Sequence, residues 1–147
     1  MKLLDCLLID LGQLNFMTIF FIAIGGALGS MLRYLLTEFS FKLLKNSNLI
    51  MAKLPLGTMS VNILGSFIAG LIYYFLVKNF NNFDPKIKSF LLTGLLGGFT
   101  TFSAFSLDIL RLINAKQVNI AVIYLVASIL LSLFAIFLGF YIAKLID

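Results

Sequence analysis

The sequence predicts an all-α integral membrane protein of four transmembrane helices, the third broken mid-membrane, with little chain outside the bilayer. Three observations predict it. Of 147 residues, 61% are hydrophobic and 12% charged, and the mean hydropathy is +1.09; soluble domains run near ~45–50% apolar and ~25% charged. Four apolar stretches each reach the ~20 residues needed to cross the hydrocarbon core. The third stretch carries a cluster of Gly, Thr and Ser that an uninterrupted helix does not need.

The elements follow in order. In the opening MKLLDCLLIDLGQLNF, Asp5 and Asp10 interrupt the apolar run and no small-residue cleavage site follows, unlike a signal peptide. Residues 1–15 read as an amphipathic extension lying at the interface. Residues 16–147 form a single four-helix domain, with spans from about Phe16 to Phe39, Leu56 to Val77, Ile87 to Leu110 and Val118 to Leu145. The only two prolines, Pro55 and Pro85, stand at the starts of the second and third spans, where a missing N–H is harmless. Asp84 is a candidate N-cap. The loops Lys42–Leu54, Lys78–Asp84 and Arg111–Gln117 are short, polar and too small for a soluble domain.

Composition excludes several functions. The net charge is +5, but the basic residues are scattered and form no nucleic-acid-binding stripe. With one cysteine, Cys6, and no histidine, there is no disulfide framework and no Cys/His metal cluster. An enzyme is disfavoured by the absence of histidine, of a loop nucleophile and of paired carboxylates. Short-loop Lys and Arg normally collect on the cytoplasmic side. Here Lys2, Lys78, Lys86, Lys88 and Lys144 fall on one face, and Lys42, Lys45, Lys53, Arg111 and Lys116 on the other. The balance is either the noise of a small protein or the mark of a chain that inserts both ways and pairs head to tail.

Polar groups inside the spans are candidate functional residues because the bilayer makes them expensive. Thr58, Asn62 and Ser66 lie at i, i+4, i+8 on one helical face, and Tyr124, Ser128 and Ser132 repeat the spacing in the fourth span. Such stripes line a polar path or act as interhelical glue; the pattern alone allows both. Gly25, Gly26, Gly29 and Ser30 permit close helix packing. Arg33 follows, either reaching for headgroups or facing an anion-attracting vestibule. In the third span, LLTGLLGGFTTFSAFSLD, each glycine lowers helix stability by about 1 kcal/mol relative to alanine. Gly97, Gly98, Thr100 and Thr101 therefore read as a break offering carbonyls to a cation. Phe99, Phe102 and Phe105 share a face; their ring edges carry partial positive charge and suit a small anion, though packing or lipid contact would use the same stripe.

GGALGSMLRY, GTMSVNILGSFIAG and GLLGGFTTFSAFS, in this order, closely resemble the small fluoride channels of the Fluc (CrcB) family over roughly Ile24 to Leu107. The resemblance implies a fluoride-selective channel in the bacterial plasma (inner) membrane, through which fluoride leaves the cytoplasm passively. It further implies a dual-topology antiparallel homodimer with two pores. A structural sodium ion would lie on the dimer axis, held by the backbone carbonyls of Gly97 and Thr100. Phe102 and Phe105 would be the pore phenylalanines, Asn62 a pore-lining amide donor, and Arg33 a vestibule residue. Thr58, Ser103, Tyr124, Ser128 and Ser132 would complete the ion pathway. Two features depart from the family pattern: Ala104 stands where members often carry Thr, and the extension before Met17 is long.

The main rival is a proton-coupled small multidrug-type transporter, which needs a membrane-embedded carboxylate. Glu38 and Asp108 are the candidates, both near helix ends, and a drug pocket would favour Trp, of which there is none. A purely structural membrane protein would not need the broken third helix.

Overall fold

The computed structural model describes residues 16–44, 54–78 and 83–147. The expected extension over residues 1–15 lies outside them. All regular structure among the described residues is helical. The first helix, α1, is Phe16–Leu44 and the second, α2, is Leu56–Lys78. The third span starts as an α-helix at Pro85–Lys88, widens into π-helical turns at Ser89–Leu96 and returns to α-helix at Gly97–Phe99; residues 85–99 are α3 here. After the break, α4 is Phe102–Asn114, and α5 is Val118–Ile146. Four spans are long and apolar enough to cross a membrane: Phe16–Leu43, Leu56–Lys78, Pro85–Asn114 and Val118–Ile146.

Local chemistry sets the ends. The Asp84 carboxylate accepts from the Lys86 N–H at 2.8 Å, capping α3 beside Pro85 in its first turn. α1 runs past Phe39 to Leu44: the Ser40 hydroxyl satisfies itself on the Leu36 carbonyl at 2.8 Å, and Lys42 sits in the last turn, where a cation suits the dipole. Between α4 and α5 the chain turns through Lys116 in the left-handed region (φ 59°).

Lipid tails are as apolar as leucine, so packing between spans relies on close fit rather than on apolar burial. Glycine supplies the fit. A Cβ on Gly29 would fall on the Leu95 carbonyl and 2.8 Å from the Phe99 nitrogen; one on Gly98 would meet the Gly26 carbonyl at 2.5 Å. α1 and α3 thus touch backbone to backbone. α2 and α5 run together in the same way, Gly70 against Ile136 and Phe140, Gly139 against Phe67 and Leu71. At the far end of this pair the Asp147 carboxylate accepts from the Tyr74 hydroxyl at 2.8 Å and is ion-paired with Lys78. Only a thin core is fully enclosed, with Val61, Leu76 and Tyr124 as its most buried large side chains; α1 and α5 leave most of their apolar residues exposed, as helices facing lipid do.

Candidate functional site: the broken helix and its two cavities

The break is made by Thr100 and Thr101, whose backbones are extended (φ −77°, ψ 158° and φ −153°, ψ 119°). Gly97 and Gly98, expected to belong to it, keep helical geometry in the last turn of α3. Their smallness serves contact instead, since Gly98 lies against Gly26. Each threonine closes one helix end. Thr100 N–H and Oγ1 both donate to the Leu96 carbonyl at 2.9 Å. Thr101 Oγ1 accepts from the Ala104 N–H at 3.1 Å, capping α4, and lies 3.2 Å from Ser103 Oγ.

In an unbroken helix Thr101 N–H would donate to the Gly97 carbonyl. Here it donates to Asn62 Oδ1 at 2.8 Å, and Asn62 Nδ2 donates to the Thr101 carbonyl at 3.0 Å. The Asn62 side chain thus stands in for a peptide group across the gap. One Nδ2 hydrogen remains outside this pairing.

Two cavities of about 550 Å³ each adjoin the break, and Thr101 lines both. The first gathers Asn62, Ser66, Gly97, Thr100, Phe102, Phe105, Ser128 and Ser132. Phe102 is 78% exposed and Phe105 6%, with ring centroids 5.6 Å apart at 44°; Phe105 also packs on Tyr124 at 5.4 Å. Ser128 Oγ is buried without a well-formed hydrogen bond among the described residues. The second cavity holds Arg33 and Thr58 together with Thr37, Asp108 and Arg111. Of the other sequence candidates, Ser103 is exposed beside Thr101 and lines neither cavity, and Tyr124 is fully buried.

Thr58 and Tyr124 meet instead at Asp108, which is 8% exposed. Its Oδ2 accepts from Thr58 Oγ1 at 2.7 Å and from the Tyr124 hydroxyl at 3.5 Å; its Oδ1 accepts from Arg111 Nη1 at 3.2 Å. In this arrangement both hydroxyl protons are spent on the carboxylate. Sequence reading placed Asp108 near a helix end and missed its role as the hub joining the two polar stripes. The signal was present: both stripes begin with a hydroxyl, and a carboxylate inside a span demands partners.

A four-helix bundle with a helix interrupted at mid-span, its polar backbone facing protein-lined cavities, defines a small membrane channel or transporter, since irregular backbone at that depth survives only where protein or a water-filled cavity surrounds it. The CrcB-like protein family (Camphor Resistance, CrcB) matches residues 20–140, and the chain belongs to it. Similar proteins from Flavobacterium psychrophilum (43% identical over 127 residues, 86% of this chain and 97% of the relative), Francisella tularensis subsp. mediasiatica (44% over 124 residues, 82% and 90%) and Campylobacter fetus subsp. fetus (42% over 131 residues, 89% and 97%) are each named fluoride-specific ion channel FluC.

Proposed function

We propose that this multi-pass protein of the bacterial plasma membrane is a fluoride-selective channel, a conduit and not an enzyme, that lets fluoride leave the cytoplasm down its gradient. The observation that carries the reading is the first cavity, where Asn62, Ser128, Ser132 and the two phenylalanines surround one space and the buried Ser128 hydroxyl makes no well-formed hydrogen bond among the described residues. Fluoride is small and strongly hydrated. A pore must replace its water with several short donor contacts, none so strong that the ion stays. The serine hydroxyls, the spare Asn62 hydrogen and the ring edges of Phe102 and Phe105 are donors of that kind, with no cation among this cavity's lining residues.

The working unit in this reading is an antiparallel homodimer with two pores, favoured by the balanced loop charge. A structural sodium ion fits the break. Thr101 N–H is turned away from the Gly97 carbonyl, and the extended Thr100 carries its own carbonyl out of the helical ladder. Gly97 is exposed, and a Cβ there would meet only the Leu92 oxygen, at 3.7 Å. Gly97 and Thr100 would hold the ion, whose charge would tie two copies together at the break.

The transporter alternative needs a carboxylate free to exchange its proton with substrate. Asp108 is engaged by three partners, and Glu38 is exposed on α1. The deciding experiment is fluoride efflux from liposomes holding the purified protein, with chloride as control. Fluoride flux without chloride flux is expected; no fluoride flux, or equal chloride flux, overturns the reading. Replacing sodium by N-methylglucamine on both sides should abolish flux if the ion is structural.

A further inference from the structure

We infer that Gly65 of α2 is a positioning residue for the cation site: the space left by its missing side chain seats the Thr100 methyl group and so fixes where the Thr100 carbonyl lies. The inference rests on the sodium reading above and adds to it a residue on another helix that touches no ion.

Three features hold Thr100. Its N–H and its Oγ1 both donate to the Leu96 carbonyl at 2.9 Å, which ties it to the last turn of α3. Its extended backbone (φ −77°, ψ 158°) carries its own carbonyl out of the helical ladder. The Ala104 N–H, which that carbonyl would meet in an unbroken helix, donates instead to Thr101 Oγ1. The third feature is the methyl group. Gly65 is buried, and a Cβ there would fall on Thr100 Cγ2 and lie 3.2 Å from Phe99 Cδ1. The threonine methyl therefore fills the volume that any other residue at position 65 would claim.

The methyl and the hydroxyl of a threonine share one Cβ, so fixing one fixes the other. The rotamer that seats the methyl against Gly65 is the one that puts Oγ1 on the Leu96 carbonyl. A side chain at position 65 would leave Thr100 two choices. It could change rotamer and lose the Oγ1 bond, or shift as a whole and move its carbonyl. Asn62, one turn earlier on α2, grips the backbone of Thr101. α2 thus fixes both residues of the break, Thr101 by hydrogen bonds and Thr100 by shape.

The test follows the unfolding temperature of the purified protein in detergent as sodium is raised, with N-methylglucamine keeping ionic strength constant. A bound ligand stabilises by mass action, so the rise reports sodium affinity without any measurement of flux. Groups that only orient a metal's ligands typically change affinity by about 10–100-fold, so Gly65→Ala should need about tenfold more sodium for the same rise. Thr100→Ser, which keeps the hydroxyl and removes the methyl, should also need more sodium, by a smaller factor. Combining Gly65→Ala with Thr100→Ser returns one methyl to the shared space and should restore a requirement close to wild type. A wild-type sodium requirement in Gly65→Ala overturns the inference, whatever its unfolding temperature without sodium. So does a double variant no better than Gly65→Ala, which would mean that Thr100 is not what the added methyl displaces. If Gly65→Ala yields no folded protein, a wild-type sodium requirement in Thr100→Ser overturns it equally. A wild type that gains no stability from sodium overturns the sodium reading itself, and this inference with it.

Discussion

Asn62 grips both backbone polar groups of Thr101, accepting from its N–H at 2.8 Å and donating to its carbonyl at 3.0 Å. Thr101 is 9% exposed, so neither group has ready access to water. One side chain on α2 therefore satisfies the backbone where the third span gives up its own hydrogen bonds. Asn62→Ala removes both bonds at once. A buried unsatisfied group costs about 1–3 kcal/mol, so we expect a loss of about 2 kcal/mol or more. The check is a lower unfolding temperature in detergent, with fluoride flux falling in parallel. An unchanged unfolding temperature would mean that the break does not depend on the clamp.

The glycines of α1 are not equivalent. A Cβ at Gly29 would strike the Leu95 carbonyl and the Phe99 nitrogen, both backbone and unable to swing aside; a Cβ at Gly26 meets nothing within 4 Å. Gly29→Ala should force α1 away from α3 and cost about 2–3 kcal/mol, in the range of overpacked cores. Gly26→Ala should keep this contact. Yield of folded protein and thermal unfolding of the two variants separate them. Equal behaviour would show that the helices close by sliding rather than by fit.

Much of this architecture is legible in the sequence, and the reasons for the remainder are physical. Apolar length identified the spans, because the bilayer imposes it on every chain. The Gly/Thr cluster marked the break but drew it too wide: Thr100 and Thr101 make it, while Gly97 and Gly98 stay helical. A glycine that admits a neighbouring backbone, as Gly98 does at Gly26, has the same local signature as one that bends the chain. The π-helical turns of Ser89–Leu96 leave no pattern, since they depend on how α3 settles against α1. Of the i, i+4, i+8 stripes, Ser128 and Ser132 line one cavity with Asn62, whereas Thr58 and Tyr124 meet at Asp108. Thr58 lies 50 residues from Asp108, and only the tertiary fold brings them together.

Phe102 and Phe105 sit on one face but in different surroundings. Phe102 is 78% exposed, while Phe105 is 6% exposed and packs on Tyr124 at 5.4 Å. Replacing either by Ile removes a ring edge from the cavity and should cut fluoride flux at least tenfold, about 1.4 kcal/mol at the barrier. Stability should distinguish them. Phe105→Ile leaves Tyr124 poorly packed and should cost about 1–3 kcal/mol, whereas Phe102→Ile should leave thermal unfolding unchanged. Flux at wild-type level in both variants would show that the rings only pack.

Ser128 offers the cleanest separation of function from folding. Its side chain is buried (4% exposed), it lines the first cavity, and its oxygen makes no well-formed hydrogen bond among the described residues. A hydroxyl that only glued helices together would have a protein partner, and its removal would weaken the fold by about 0.5–1.5 kcal/mol. A hydroxyl held for a passing anion has no such partner. Ser128→Ala should therefore leave the unfolding temperature unchanged or slightly raised, because a buried hydroxyl without a well-formed hydrogen bond is itself a cost. The same variant should lower fluoride flux several-fold, since the ion loses a donor where its water has been stripped. Thermal unfolding in detergent and liposome efflux, measured on one preparation, decide between the two roles. Lost stability with full flux would assign Ser128 to packing and move the pathway away from the first cavity.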